Sequence, residues 1–263
     1  MDNFKSYLMR CKVQIAISFA LTLIIVFVGF ALFFFSRPDE ALEYGAFSLL
    51  FFPFVRELIR RYRLAQDRLG LVEITEAQFP KIYYMVEELV AEAGLEKMPP
   101  IYLTSKPSVD PCTVNPGLRK AIIIGTDFVS GCEQYDAPEA LRFMLAHHVG
   151  HFVAGHNKNM NIWVSAASMS IPVFRTLLVR SLEFTADYWA ATRYPVGAQQ
   201  ALALCATGRD NFVHVNCDEL VRNHETKIGK LSKIARWETY SLPAPERLAH
   251  VHKINQHLKE NNR

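Results

Sequence analysis

A chain of 263 residues, half of them apolar, can bury one sizeable core and still have residues to spare for a membrane. Its net charge of +3, with no basic stripe interleaved with aromatics, gives no footing for nucleic-acid binding. The five cysteines (Cys11, Cys112, Cys132, Cys205, Cys217) are odd in number, scattered and without a Cys-x-x-Cys spacing, which speaks against a disulfide framework and for a reducing compartment.

Residues 13–35 form an uncharged, apolar run of 23, long enough to cross a bilayer as a helix. The run is too long for the apolar part of a signal peptide, and no small-x-small cleavage site follows it, so it reads as an uncleaved anchor. Ser36 to Glu40 breaks the run, and a second apolar stretch extends from Ala41 to Val55, short for a span and carrying Glu43. Charge tips the balance. Lys5, Arg10 and Lys12 precede the first run, Arg37 alone lies between the two, and Arg56, Arg60, Arg61, Arg63 and Arg68 crowd the far end. The positive-inside rule then predicts a transmembrane hairpin in the inner or plasma membrane, with both ends cytoplasmic; the alternative is a single span with an outward domain. The chain divides into a membrane anchor over 1–57, a basic linker over 58–76 and a folded domain over 77–263.

In that domain, Gln78 to Gly94 predicts an amphipathic helix with Pro80 in its first turn, Gly94 at its end, and Ile82, Val86, Leu89 and Val90 on one apolar face. Two short β-rich runs follow, Pro100–Thr104 and Ala121–Gly125, with a turn signal at Pro116-Gly117 between them. The stretch from Pro138 to His156 is the centre of the chain. Asp136 can cap a helix there, with Glu139 completing a capping box, and Leu141, Met144, Leu145 and His148 recur at helical spacing. His147 and His151, four apart, share one face of that helix, the arrangement that offers two nitrogens to one zinc ion. The apolar run Ile162–Phe174, cut by Pro172 and followed by Arg175, predicts a core or membrane-surface helix.

On the next predicted helix Glu183 and Asp187 again stand four apart, within Ser181–Asp187. Glu183 can supply an oxygen ligand, and Asp187 can accept a hydrogen bond from the far nitrogen of a ligand histidine and so fix its tautomer. His156, five residues past His151, falls off the ligand face and reads as structural or capping; His214, His224, His250, His252 and His257 read as surface histidines. Val196 to Gly208 predicts another packed helix, and the charged stretch Asp218–Arg236 a solvated one.

Ala146-His-His-Val-Gly-His151 followed by Glu183-Phe-Thr-Ala-Asp187 resembles the membrane zinc metallopeptidases of the HtpX and CAAX prenyl protease type, which are gluzincins. The likeness runs from about Gln78 to Arg247. It implies a zincin-like α+β fold, mostly helical with a small antiparallel sheet whose strands border the cleft and receive extended substrate by strand addition. It also implies one zinc ion per chain, with His147, His151 and Glu183 as ligands and Asp187 behind them.

Three departures from the family pattern stand out. Where the family has the glutamate that accepts a proton from the attacking water, this chain has His148, which can act as a base near neutral pH or become an extra ligand. Asp110-Pro111 replaces an Asn-Ala, and Leu242 replaces a histidine ahead of Arg247. Arg247 itself is kept; it can stabilise an oxyanion or pair with a surface carboxylate. The resemblance predicts a membrane-anchored zinc metalloendopeptidase acting on unfolded or membrane-proximal polypeptide, with membrane lipid as its surroundings. The alternative it leaves is a pseudopeptidase that binds zinc and polypeptide as a scaffold.

Overall fold

The computed structural model of the chain describes residues 2–36, 58–59, 62, 69–105, 121–158, 171–226, 229 and 242–261. The second apolar stretch (41–55), the arginines that follow it, Cys112, Asp110-Pro111, the Pro116-Gly117 turn, residues 162–170 and nearly all of 227–236 lie outside the described residues.

Helix α1 (Asp2–Ser36) is a single helix of 35 residues and is long and apolar enough to cross a membrane. Its outer half exposes Phe19, Leu23, Ile24, Phe27 and Phe35. Its inner half does not stand apart from the rest of the molecule. Cys11 and Ile15, four apart and so on one face, pack against Leu178 and Leu182, while Tyr7 stacks on Tyr188 at 4.8 Å.

Strand β1 (Leu71–Ile74) comes next, inside the segment expected to be linker. Helix α2 (Pro80–Glu92) buries Ile82, Val86, Leu89 and Val90, the four residues predicted for its apolar face, and ends at Gly94 with φ 65. Strands β2 (Ile101–Thr104) and β3 (Ile122–Gly125) complete a three-stranded sheet in the order β1-β2-β3. The sheet is mixed, not antiparallel. β1 pairs antiparallel with β2, but β2 pairs parallel with β3, Ile101 opposite Ile122. The 17 residues from 105 to 121 leave room for the crossover that a parallel pair needs, where a tight turn would have forced a hairpin. β3 is buried along its whole length, as suits a parallel strand covered on both faces.

Helix α3 (Thr126–Gln134) leads into α4 (Pro138–Val153), and the junction corrects the expected capping box. Asp136 makes no side-chain cap. It has φ 47, and its amide donates to the Glu133 carbonyl while that of Ala137 donates to Cys132. These two bonds close the end of α3 in a Schellman motif with Asp136 in the left-handed position, which Asp tolerates better than most residues. Pro138 then starts α4 with its φ already set.

Helix α4 is the hub. Phe143, Met144, Leu145 and Val149 are buried in the main core, with α2, α3, α5 (Pro172–Ala191) and α6 (Pro195–Thr207) packed around them. Pro172 is the first residue of α5, and most of the apolar run before it lies outside the described residues. A short 3₁₀ turn (Phe212–His214), α7 (Cys217–Thr226) and α8 (Ala244–Asn261) follow, with α8 lying across α5 and α6.

Cys11, Cys132 and Cys217 lie outside any disulfide, but Cys205 is disulfide-bonded, so the scattered cysteines include a bridged position that their spacing did not announce. Burial pushes the Cys132 thiol up to about 12, which leaves it inert as a nucleophile.

Candidate metal centre

The centre forms where α4 and α5 cross. At Gly150 the two backbones meet: a Cβ there would lie 3.2 Å from the Ala186 Cα. This close approach sets His151, next to Gly150, and Asp187, next to Ala186, at the contact. His147, one turn back on α4, and Glu183, one turn back on α5, join them, and all four side chains are buried.

His147 Nε2 lies 3.2 Å from His151 Nε2 and 3.3 Å from Glu183 Oε2, and His151 Nε2 lies 3.5 Å from Glu183 Oε1. Bonds of about 2.0–2.1 Å arranged tetrahedrally put ligand atoms about 3.3–3.4 Å apart. Three donors at nearly that mutual spacing can share one small cation. Among the described residues this is the one group of three or more such side chains placed to hold a metal ion.

Outside the triangle, His147 Nδ1 sits 2.9 Å from Asp187 Oδ1. The Nδ1–H donates to that carboxylate, which leaves Nε2 bare and facing the triangle. Asp187 is in turn gripped by Arg247, in the first turn of α8: Nε donates to Oδ2 at 3.0 Å and Nη2 to Oδ1 at 2.6 Å. Burial alone would raise the Asp187 carboxyl, but the Arg247 guanidinium and then the His147 ring hold it far below the ordinary carboxylate range. For His147, burial and Arg247 disfavour the charged ring, yet Asp187 and Glu183 outweigh them and raise its pKa.

Arg247 is fully buried, so its partner is not the surface carboxylate that was one of two expectations. Nη1 also approaches Glu183 Oε2 at 3.6 Å. A second ion pair, Arg180 to Glu246 at 2.6 Å, clamps the start of α8 to α5 beside it.

His148 is not part of the triangle. It is buried on the next face of α4, its ring 5.5 Å from that of His147 and nearly edge-on.

His156 has a place that its sequence spacing concealed. Counting five residues along a continuing helix puts it off the ligand face, but α4 ends at Val153. Gly155, with φ 71, reverses the chain; its amide donates to the Phe152 carbonyl and that of His156 to His151. This Schellman motif folds the residue after the glycine back over the third residue from the helix end. His156 therefore lies against His151, the two Nδ1 atoms 2.8 Å apart, and is 2% exposed. The readable signal was Gly155, which marks the turn. His250, expected at the surface, is stacked on Phe184 at 3.9 Å and edge-on to Tyr7, and burial lowers its pKa to about 4.

Compared with known protein families, with curated proteins and with solved structures, the chain matches none.

Proposed function

We propose that the chain is a membrane-anchored zinc protein of the HtpX and CAAX prenyl protease type that holds zinc through His147, His151 and Glu183 and binds polypeptide without efficiently cleaving it. The observation that carries this reading is the buried His147–His151–Glu183 triangle, whose two-nitrogen, one-oxygen donor set suits zinc. A zinc ion there would supply Lewis acidity, polarising a carbonyl brought to its open side. Asp187 holds the His147 ring in the ligating tautomer, and Arg247 keeps Asp187 ionised in a dry site.

The glutamate base of the resembled family is replaced in this chain. A positioned general base contributes about 10²–10⁴-fold to such a reaction. The residue at the expected place is His148, an imidazole in a site where a cation would oppose its protonated form. Arg247 bonds Asp187 through Nε and Nη2 while Nη1 lies 3.6 Å from Glu183 Oε2, so in this reading it is a positioning residue that orients both carboxylates.

The second reading is a working metalloendopeptidase acting on unfolded or membrane-proximal polypeptide. It is favoured by the completeness of the ligand set and its outer contacts, which a chain without hydrolytic use for them has little reason to keep. One experiment separates the two. Native protein and a His148→Glu variant, in detergent with zinc, are incubated with an unfolded protein. We expect cleavage by the variant alone; cleavage by the native chain, stopped by a chelator, would make it an enzyme with an unusual base.

The anchor in this proposal is α1, with the zinc domain on the side of Lys5, Arg10 and Lys12, the cytoplasm.

A further inference from the structure

The path out from the metal triangle does not end at His156. His156 Nε2 lies 3.2 Å from the Sγ of Cys11, a residue 145 positions earlier in the chain and on α1. Cys11 is 1% exposed and sits among Ile15, Leu178 and Leu182, so the thiol meets the imidazole in a dry, packed place.

The protons along this path have only one consistent arrangement when His151 Nε2 ligates a metal. A ligating nitrogen is bare, so the His151 proton is on Nδ1. Nδ1 faces His156 Nδ1 at 2.8 Å, and two N–H groups cannot bond head to head, so His156 Nδ1 is the acceptor. A neutral His156 then carries its proton on Nε2 and donates it to the Cys11 sulfur. Each ring is thereby fixed in tautomer and in rotation, and the sulfur is the anchor point.

We infer that Cys11 and His156 are positioning residues of the metal centre, so that the first helix, through Cys11, helps set the orientation of the ligand His151. The inference rests on the zinc reading and deepens it: the apolar helix is a structural part of the metal site as well as an anchor. Outer partners of ligand histidines typically change metal affinity about 10–100-fold when removed. Because coupling is reciprocal, metal binding tightens the docking of α1 on α5 by the same factor that α1 tightens metal binding.

The test uses the full chain in detergent with zinc and cobalt ions as probes. The variants are Cys11→Ala, Cys11→Ser and His156→Phe. Zinc affinity is measured by competition with a chelator, the cobalt site by its visible spectrum, and the fold by the melting midpoint of metal-free protein. We expect Cys11→Ala to weaken zinc binding about tenfold, His156→Phe by up to about 100-fold, and both to alter the cobalt spectrum. Cys11→Ser, whose oxygen can still accept from His156, should restore most of the affinity.

If Cys11→Ala binds zinc as tightly as the native chain, the inference is overturned while the zinc reading stands. It is also overturned if serine and alanine lose affinity equally, in step with metal-free stability, because Cys11 is then ordinary core. A native chain that takes up neither ion overturns both readings together.

Discussion

At the scale of single residues, the Asp187–Arg247 pair is the part of the site where stability and metal binding are hardest to separate. Both side chains are fully buried, and Arg247 is the foremost charge holding Asp187 ionised. Removing one member of such a pair leaves a buried charge uncompensated and costs about 3–5 kcal/mol. Arg247→Met should therefore lower stability by about that much in a denaturant titration. The double variant Arg247→Met with Asp187→Asn should recover much of the loss, because no lone charge remains.

His250 gives a pH dependence with a definite sign. Burial lowers its folded-state pKa to about 4, while in the unfolded chain the ring titrates at about 6.5. As pH falls below about 6.5 the unfolded state takes up a proton that the folded state refuses until about 4. Its contribution is therefore intact above about 6.5 and is lost between the two values, to the extent of about 3 kcal/mol. Melting midpoints of the native chain should drop across that window, and His250→Gln should flatten the drop.

At the scale of elements, helix identity was legible and pairing was not. The apolar face of α2 and the four-residue spacings of His147 with His151 and Glu183 with Asp187 are properties of a single helix, so local periodicity was enough to read them. The direction in which β3 joins β2 depends on the route of a 17-residue connection, and the short apolar run Ile122–Ile124, which suits a buried parallel strand, is too brief to fix it. Asp136 was misread because a left-handed residue that ends one helix and an N-cap that starts the next occupy adjacent places, and both favour Asp. His156 was misread by extending helical spacing through Gly155. Cys11 carried no local signal at all, since its partner is 145 residues away.

The glycine turn makes its own prediction. At φ 71 a residue with a Cβ is strained, and the new atom would also meet the Lys158 side chain at 3.1 Å. Gly155→Val should cost about 1–2 kcal/mol and displace His156 from His151. Its signature is a loss of zinc affinity larger than that from Gly208→Val, a left-handed glycine at the end of α6, far along the chain from the ligands.

For the whole molecule, the structure joins two parts that the sequence suggested were separate. The sequence divides into an apolar anchor and a folded domain, but α1 packs along α5, antiparallel to it, with Tyr7 near Tyr188 and Cys11 and Ile15 near Leu182 and Leu178. Helix α5 carries Glu183 and Asp187, so the helix that is long and apolar enough to cross a membrane rests on the back of an element that builds the metal triangle.

All of this depends on whether the triangle holds zinc. The most direct measurement is the metal content of the full chain purified in detergent without chelator, beside His151→Ala and Glu183→Ala. About one zinc per native chain is expected, with loss of that zinc from both variants, each still folded by circular dichroism. Native protein that carries no zinc, and takes up none when it is supplied, would contradict the zinc reading.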